Sequence, residues 1–171
     1  MPFSRPVKIP IIINELTKIK FDSVLDIGCG YGIYGALIRN YFETTHKRFA
    51  KWEWKIHIEG VEAEARYNNP LWWCYDYVHV YDFRDFKSKK FDLVLLLDVV
   101  EHFEKEEGKE ILRKAEGMAK NIIVSTPAKF IQNIGWEDYP TEKHQSLWSP
   151  DDFKDYRVVE EENQIIAIRR L

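Results

Sequence analysis

Carboxylates, glycines and histidines that could bind a ligand or move a proton follow several strand-like segments of this sequence. The first group is Asp26, Gly28, Gly30 and Gly32, at the end of the apolar run 24–27. Glycines at this spacing allow a tight turn and a close approach of the backbone to a ligand. A carboxylate at the start of the turn repels a phosphate and attracts a cation. The segment therefore predicts a site for a ligand with a positively charged group.

Single carboxylates follow the next two strand-like segments. Glu62 ends the segment 52–62, and Asp82 with Phe83 ends the segment 77–81. Ligands of α/β proteins bind beyond the carboxyl ends of the strands. Glu62 can accept hydrogen bonds from both ribose hydroxyls, Asp82 can accept one from an adenine amino group, and Phe83 offers a flat apolar face. These residues predict an adenosine site, but they do not distinguish nicotinamide cofactors from other cofactors that contain adenosine.

A third group follows the apolar run 91–97 and comprises Asp98, Glu101 and His102, with His144 further along the chain. An oxygen nucleophile must lose its proton, and a histidine that titrates near neutrality is the usual base. We therefore predict Glu101, His102 and His144 as catalytic residues. Two imidazoles with two carboxylates also suit a divalent metal ion such as zinc or manganese, and this remains an alternative role.

The elements that position these groups alternate between strands and helices. Apolar residues at helical spacing predict an N-terminal helix within 1–20, a helix after the glycine loop and a helix over about 104–119. Strands are predicted over 24–27, 52–62, 77–81, 91–97, 121–125, 156–159 and 164–169. The link 160–163 is too short for a parallel crossover, so the last two strands form an antiparallel hairpin. The fold is therefore α/β with a seven-stranded sheet.

The pattern Asp-x-Gly-x-Gly-x-Gly at 26–32 resembles the first motif of class I S-adenosylmethionine-dependent methyltransferases. The resemblance implies a three-layer αβα, Rossmann-like fold with strand order 3-2-1-4-5-7-6 and an antiparallel last strand. It also implies that the loop passes beneath the methionine part of S-adenosylmethionine and that Asp26 serves its ammonium, often through water. The cofactor-binding residues implied by the resemblance, together with the strand-end residues above, are Asp26, Gly28, Cys29, Gly30, Glu62, Asp82, Phe83 and Asp98.

The same resemblance extends to the acceptor side. The Glu101-His102 pair is similar to the Glu-His pair of small-molecule methyltransferases of the ubiquinone-biosynthesis type. With Asp98 and His144 it also resembles the magnesium site of small-RNA 2′-O-methyltransferases, although Asp98 replaces a glutamate of that group. The Asn/Asp-Pro-Pro-Tyr motif of adenine and glutamine methylation is absent. An oxygen atom of a small or modest-sized acceptor is therefore favoured, and RNA is not excluded.

Length and composition set further bounds. The 171 residues predict a single domain, with the segment 128–148 as a substrate loop. A net charge of −3 gives no general attraction to nucleic acid. Cys29 and Cys74 have no metal or redox spacing, so reduced thiols in a cytoplasmic protein are expected. The run 11–13 is too short to span a membrane, and no membrane partner is expected.

Two other functions remain as alternatives. The segment 30–35 fits G-x-G-x-x-G, which is the fingerprint of nicotinamide-dependent oxidoreductases. Asp26, the additional Gly28 before that pattern and the predicted antiparallel hairpin all argue against it. A non-catalytic, cofactor-binding adaptor is the other alternative. The aromatic residues Trp72 and Trp73 are expected to complete the core rather than to line a substrate site.

Overall fold

The computed structural model describes residues 5–87, 90–129 and 140–170. Its sheet has the order β3-β2-β1-β4-β5-β7-β6, which confirms the predicted topology. The strands are β1 (Ser23–Ile27), β2 (His57–Glu62), β3 (Tyr77–Val80), β4 (Leu93–Leu97), β5 (Asn121–Pro127), β6 (Arg157–Glu161) and β7 (Gln164–Arg170). The helices are α1 (Lys8–Leu16), α2 (Ile33–Ile38, continued by a π-helical turn, Arg39–Glu43) and α3 (Lys105–Gly117).

Both faces of the sheet are covered, as in a three-layer αβα sandwich. The first five strands run parallel, and β7 lies antiparallel between β5 and β6. Along β4, Leu93 and Leu95 pack on the side of α1 and α2, whereas Val94 and Leu96 pack on the side of α3. No helix in the described parts of the chain has the length and apolar character needed to cross a bilayer.

The second strand is shorter than its alternating pattern predicts. Strand β2 begins at His57, and the preceding residues form a 3₁₀ turn and an extended linker. The Glu43 carboxylate accepts hydrogen bonds from the backbone of Lys55 and Ile56, at 2.9 and 2.8 Å. Arg39 donates to the Ile56 carbonyl and stacks on the ring of Trp54 at 4.3 Å. Side chains of the α2 region therefore satisfy backbone groups that a longer strand would have paired.

The last two strands form the predicted antiparallel hairpin. Glu162 and Asn163 form its tight turn, and both have positive φ angles, 43° and 62°. Positive φ at two successive residues is characteristic of the type I′ turn, whose twist matches that of a hairpin. The hairpin places β7 beside β5, completing the sheet on that side.

The segment 149–152, with a capping serine, a proline and two acids, is typical of a helix start, but the structure has only a single 3₁₀ turn there, Pro150–Phe153. The sequence signal is present, because the Asp152 carboxylate accepts a hydrogen bond from the Ser149 backbone at 2.8 Å. Strand β6 begins at Arg157, however, and this leaves room for one turn only.

Tyr75 lies inside the aromatic stretch 72–75 and is 2% exposed, while its neighbour Trp73 is 59% exposed and does not complete the core. A Cβ atom on Gly35 would lie 2.3 Å from the Tyr75 ring, and one on Gly60 would lie 3.1 Å from it. The Tyr75 hydroxyl accepts a hydrogen bond from the Gly35 backbone at 3.1 Å. Gly35 is therefore required by packing rather than by a bound phosphate.

We expect Gly35→Ala to lower the free energy of unfolding by about 1–3 kcal/mol, because the added methyl group overlaps the buried ring of Tyr75. Urea denaturation followed by circular dichroism measures this change. Gly117→Ala is the matched control, because a Cβ there would have no neighbour within 4 Å among residues 5–87, 90–129 and 140–170. The control should be neutral or stabilising by up to about 1 kcal/mol. Equal stability of the two variants would contradict the packing role of Gly35.

Candidate active site

The loop after β1 is held tightly against β2 and the segment after β4. Its glycines, Gly28, Gly30 and Gly32, have φ angles of 68°, 52° and 84°. Residues with side chains rarely adopt this left-handed region. The Gly28 backbone donates a hydrogen bond to the Val61 carbonyl at 2.8 Å. A Cβ on Gly28 would lie 2.5 Å from a methyl group of Val99. The loop thus forms a compact wall made largely of backbone.

Glu62 joins this loop to the end of β2. One carboxylate oxygen accepts a hydrogen bond from the Gly30 backbone at 2.8 Å, and the other accepts one from Glu64 at 2.9 Å. Burial raises the pKa of Glu62, and the negative charge of Glu142 adds to the effect. Because each carboxylate oxygen can accept two hydrogen bonds, Glu62 retains the capacity to bind both hydroxyls of a ribose.

Asp26 lies at the end of β1 and is 2% exposed. The Tyr75 hydroxyl donates a hydrogen bond to its carboxylate at 2.6 Å. The pKa of Asp26 is raised to about 7, chiefly by burial. The Tyr75 hydrogen bond opposes this increase, and the nearby charge of Glu62 contributes to it. A cation bound beside Asp26 would favour the ionised form.

A cleft of about 340 Å³ runs along the carboxyl ends of β1, β2 and β4. Burial and the charge of Asp26 raise the pKa of the Cys29 thiol, which lines the cleft as a neutral group. Every residue predicted to bind the cofactor lines this cleft: Asp26, Gly28, Cys29, Gly30, Glu62, Asp82, Phe83 and Asp98. The predicted set is therefore brought together in one place.

The wall at the end of β3 is more constrained than the sequence suggests. The Arg84 guanidinium binds both oxygens of Asp82, at 3.0 and 2.7 Å, and reaches Glu107 at 2.7 Å. Hydrogen bonds from Arg84 lower the pKa of Asp82. Phe83 is 5% exposed and stacks on Phe86 at 6.0 Å. Asp82 and Phe83 are thus fixed in place at the rim of the cleft.

Asp98 follows β4 and adopts a left-handed conformation with φ 57°. Its carboxylate forms an ion pair with Lys8 of α1 and accepts a hydrogen bond from the Ser125 hydroxyl at 3.1 Å. Lys8 is fully buried. An unpaired buried ammonium is very unfavourable, so Lys8 and Asp98 stabilise each other and connect α1 to the cleft.

Glu101, His102 and His144 lie together, and His102 also lines the cleft. One ligand atom from each of them lies within 4.8 Å of the other two. The rings of His102 and His144 are 4.9 Å apart and nearly perpendicular. The backbone groups of Gln145 and Ser146 donate hydrogen bonds to the Glu101 carbonyl, at 2.7 and 3.2 Å. The structure therefore brings these three residues together.

Burial is the main influence on the pKa values of Glu101, His102 and His144. It lowers the pKa of His102, and together with the charge of His102 it lowers the pKa of His144 to about 4. Burial and the nearby charge of Asp98 raise the pKa of Glu101 to about 8. Each of these shifts favours the neutral form of the group.

The predicted substrate loop, 128–148, is described only at 128, 129 and 140–148. Its second half lies over the cleft, where the Tyr67 hydroxyl donates a hydrogen bond to Glu142 at 2.7 Å. Trp148, at the end of the loop, is 1% exposed and packs against Gly108 of α3. This half of the loop is thus anchored at both the rim and the core.

Lys8, Glu142 and Gln145 are among the residues of the site that were not predicted individually. A signal existed for Lys8, because it shares the buried face of α1 with Ile12 at a spacing of four residues. Glu142 and Gln145 lie within the predicted substrate loop, 128–148, but their individual contacts with the cleft depend on tertiary structure.

Comparison with known proteins agrees with this geometry. The sequence model of a family described as "Methyltransferase domain" matches residues 7–157. The chain therefore belongs to this family, the S-adenosylmethionine-dependent methyltransferases, and S-adenosylmethionine is its cofactor. A search of curated proteins gave no match.

Solved structures share the fold at low sequence identity. A protein from Pyrococcus horikoshii OT3 has a TM-score of 0.66 at 15% identity, over 99% of this chain and 92% of its own. Magnesium protoporphyrin IX methyltransferase from Synechocystis PCC 6803, with bound S-adenosylhomocysteine, has a TM-score of 0.61 at 14% identity, over 95% and 80%. An O-methyltransferase family protein from Burkholderia thailandensis has a TM-score of 0.60 at 13% identity, over 94% of this chain and 55% of that longer chain.

We expect Glu62→Ala to weaken S-adenosylhomocysteine binding by about 1.5–3 kcal/mol for each lost charge-assisted hydrogen bond, roughly tenfold to more than a hundredfold. Isothermal titration calorimetry measures the affinity. Glu64→Ala is the matched control, because Glu64 lies two residues further on and its carboxylate binds Arg66 instead. Unchanged affinity in Glu62→Ala would exclude Glu62 from ribose binding.

We also expect S-adenosylhomocysteine binding to release a proton near pH 6. The folded-state pKa of Asp26 is raised from 3.8 to about 7, so Asp26 is mostly protonated at pH 6, and the ligand's ammonium favours its ionisation. Affinity should therefore rise between pH 5 and pH 7.5. For the same reason, the contribution of Asp26 to the stability of the ligand-free protein falls as pH rises from about 4 to 7.

Calorimetry in two buffers of different ionisation enthalpy measures the released proton. Asp26→Asn should remove most of the release. Equal proton release in Asp26→Asn and the unmodified protein would show that another group titrates on binding.

Proposed function

We propose that this chain transfers the methyl group of S-adenosylmethionine to an oxygen atom of a small organic acceptor. The observation that carries this proposal is that Asp26 and Glu62, on β1 and β2, line the same cleft as His102, which follows β4. The two carboxylates suit the ammonium and ribose of the cofactor. His102 presents an imidazole, backed by His144 and Glu101, to an acceptor hydroxyl.

The reaction is an in-line displacement. A bond forms between the acceptor oxygen and the methyl carbon while the bond between that carbon and sulfur breaks, and the electron pair of the broken bond remains on sulfur. The acceptor hydroxyl gives up its proton to solvent, and the histidine pair promotes this loss. Holding donor and acceptor in line is the largest contribution that the protein can make to such a step.

Several observations support a small acceptor and an oxygen nucleophile. The described half of the loop, 140–148, covers the cleft through Pro140, Thr141 and Glu142, which favours a compact substrate. The Asn/Asp-Pro-Pro-Tyr motif is absent from the sequence, and a net charge of −3 gives no general attraction to RNA. One of the structural neighbours is described as an O-methyltransferase family protein.

Cys29 and Cys74 are free, which supports a cytoplasmic location.

A transfer assay with methyl-labelled S-adenosylmethionine tests the acceptor class. We expect label to enter small hydroxylated compounds and not RNA or small amines. Transfer to RNA alone, or to nitrogen alone, would contradict the proposal.

With an acceptor in hand, His102→Ala should lower kcat by roughly 100-fold or more, the range of a group that assists proton removal. Its affinity for S-adenosylhomocysteine should stay within about twofold, because the residue serves the acceptor rather than the donor. His46→Ala is the control, since His46 is exposed and its hydrogen bonds within the described part of the chain are to the Phe42 carbonyl and to Thr45. Equal kcat in both variants would make His102 a structural residue.

A further inference from the structure

Glu101 is an unusual carboxylate in this fold. Its side chain is buried, at 2% exposure, and neither carboxylate oxygen has a hydrogen-bond partner among the described residues. The buried ammonium of Lys8 is paired with Asp98 instead. Buried carboxylates are almost always paired with a cation or hydrogen-bonded. Because the Glu101 carboxylate has no such hydrogen bond among the described residues, a bound cation is the partner to look for.

The two neighbouring imidazoles supply the remainder of a metal-binding set. His102 and His144 each place a ring nitrogen within 4.8 Å of a Glu101 oxygen and of each other. The Nδ1 atom of His102 lies 3.3 Å from the Lys143 carbonyl, which leaves Nε2 to bind an ion. A backbone carbonyl on the second ring nitrogen is the usual way in which a metal-binding histidine is oriented. Ligand atoms around tetrahedral zinc lie roughly 3.3 Å apart, so rotations that move the side chains by about 1.5 Å would close the site.

Asp98 does not belong to this set, despite its place in the sequence. Its two carboxylate oxygens are engaged by Lys8 and by the Ser125 hydroxyl. The available donors are therefore two nitrogens and one oxygen. This combination suits zinc better than magnesium, which prefers oxygen ligands.

A second cluster of one glutamate and two histidines shows the contrast. His57 and His79 each place a ring nitrogen 2.8 Å from a different oxygen of Glu59, on strands β2 and β3. That carboxylate is satisfied by its own histidines, so the cluster has no need of an ion. Around Glu101 the same three residue types come together with the carboxylate unpaired.

We propose that Glu101, His102 and His144 bind a zinc ion at the part of the cleft that His102 lines. The three protein ligands leave at least one coordination position for another group, as in catalytic zinc sites. In that position an acceptor hydroxyl would lose its proton to solvent more readily. This catalytic role rests on the proposed methyl transfer, whereas ion binding itself does not.

The test is a calorimetric titration of zinc chloride into protein that has been stripped of metal with a chelator, without S-adenosylmethionine or acceptor. We expect one ion per chain, bound at least about tenfold more weakly by Glu101→Gln and by His144→Ala. His79→Ala is the matched control, since it disrupts the second cluster, and it should bind zinc as the unmodified protein does. Circular dichroism confirms that each variant is folded, and His144, which is half-buried, provides a second variant besides Glu101.

Absence of saturable binding would overturn the proposal. So would binding that survives Glu101→Gln and His144→Ala but is lost in His79→Ala. Because the titration involves no methyl transfer, its result is independent of the acceptor assay.

Discussion

The hydroxyl of Tyr75 connects three parts of the molecule that must be in register for the cofactor cleft to exist. It donates a hydrogen bond to Asp26 at the end of β1 and accepts one from Gly35 in the first turn of α2. The ring fills the space beside Gly35 and Gly60, where a side chain would overlap it. One buried side chain thus fixes the strand end, the glycine loop and the helix after it. The low exposure of Asp26 and its raised pKa follow from this arrangement.

The groups in and beside the cleft differ electrostatically because different strands supply them. Strands β1 and β2 contribute Asp26 and Glu62, two carboxylates whose hydrogen bonds come from tyrosine and backbone donors. The segment after β4 contributes Asp98, which is paired with Lys8, and Glu101, whose carboxylate has no hydrogen-bond partner among the described residues. Parallel strands in the order 2-1-4 bring these groups to one edge of the sheet. The carboxylates after β1 and β2 can therefore attract a cation, while burial keeps the imidazoles of His102 and His144 neutral.

The strands and the acids at their ends were accessible from the sequence because they depend on short-range signals, whereas the sheet order came from the resemblance of the glycine loop to a known family. Apolar runs marked β1 and β4, and strand-end acids marked Asp26 and Glu62. The start of β2 was not accessible, because the Glu43 carboxylate, distant in sequence, takes the backbone groups of 55 and 56. Tyrosine is a common core residue, and nothing in the sequence indicated that Tyr75 contacts Asp26. Its effect on Gly35 explains why the G-x-G-x-x-G match at 30–35 does not indicate a dinucleotide.

Competitive calorimetry with S-adenosylhomocysteine and NAD⁺ at pH 7.5 tests the central claim most directly, because the two ligands share adenosine and differ in what faces Asp26. The carboxylate attracts the ammonium of S-adenosylhomocysteine and repels the pyrophosphate of NAD⁺. We expect saturable binding of S-adenosylhomocysteine at one site per chain and no measurable binding of NAD⁺. Saturable binding of NAD⁺ together with no binding of S-adenosylhomocysteine would contradict the account.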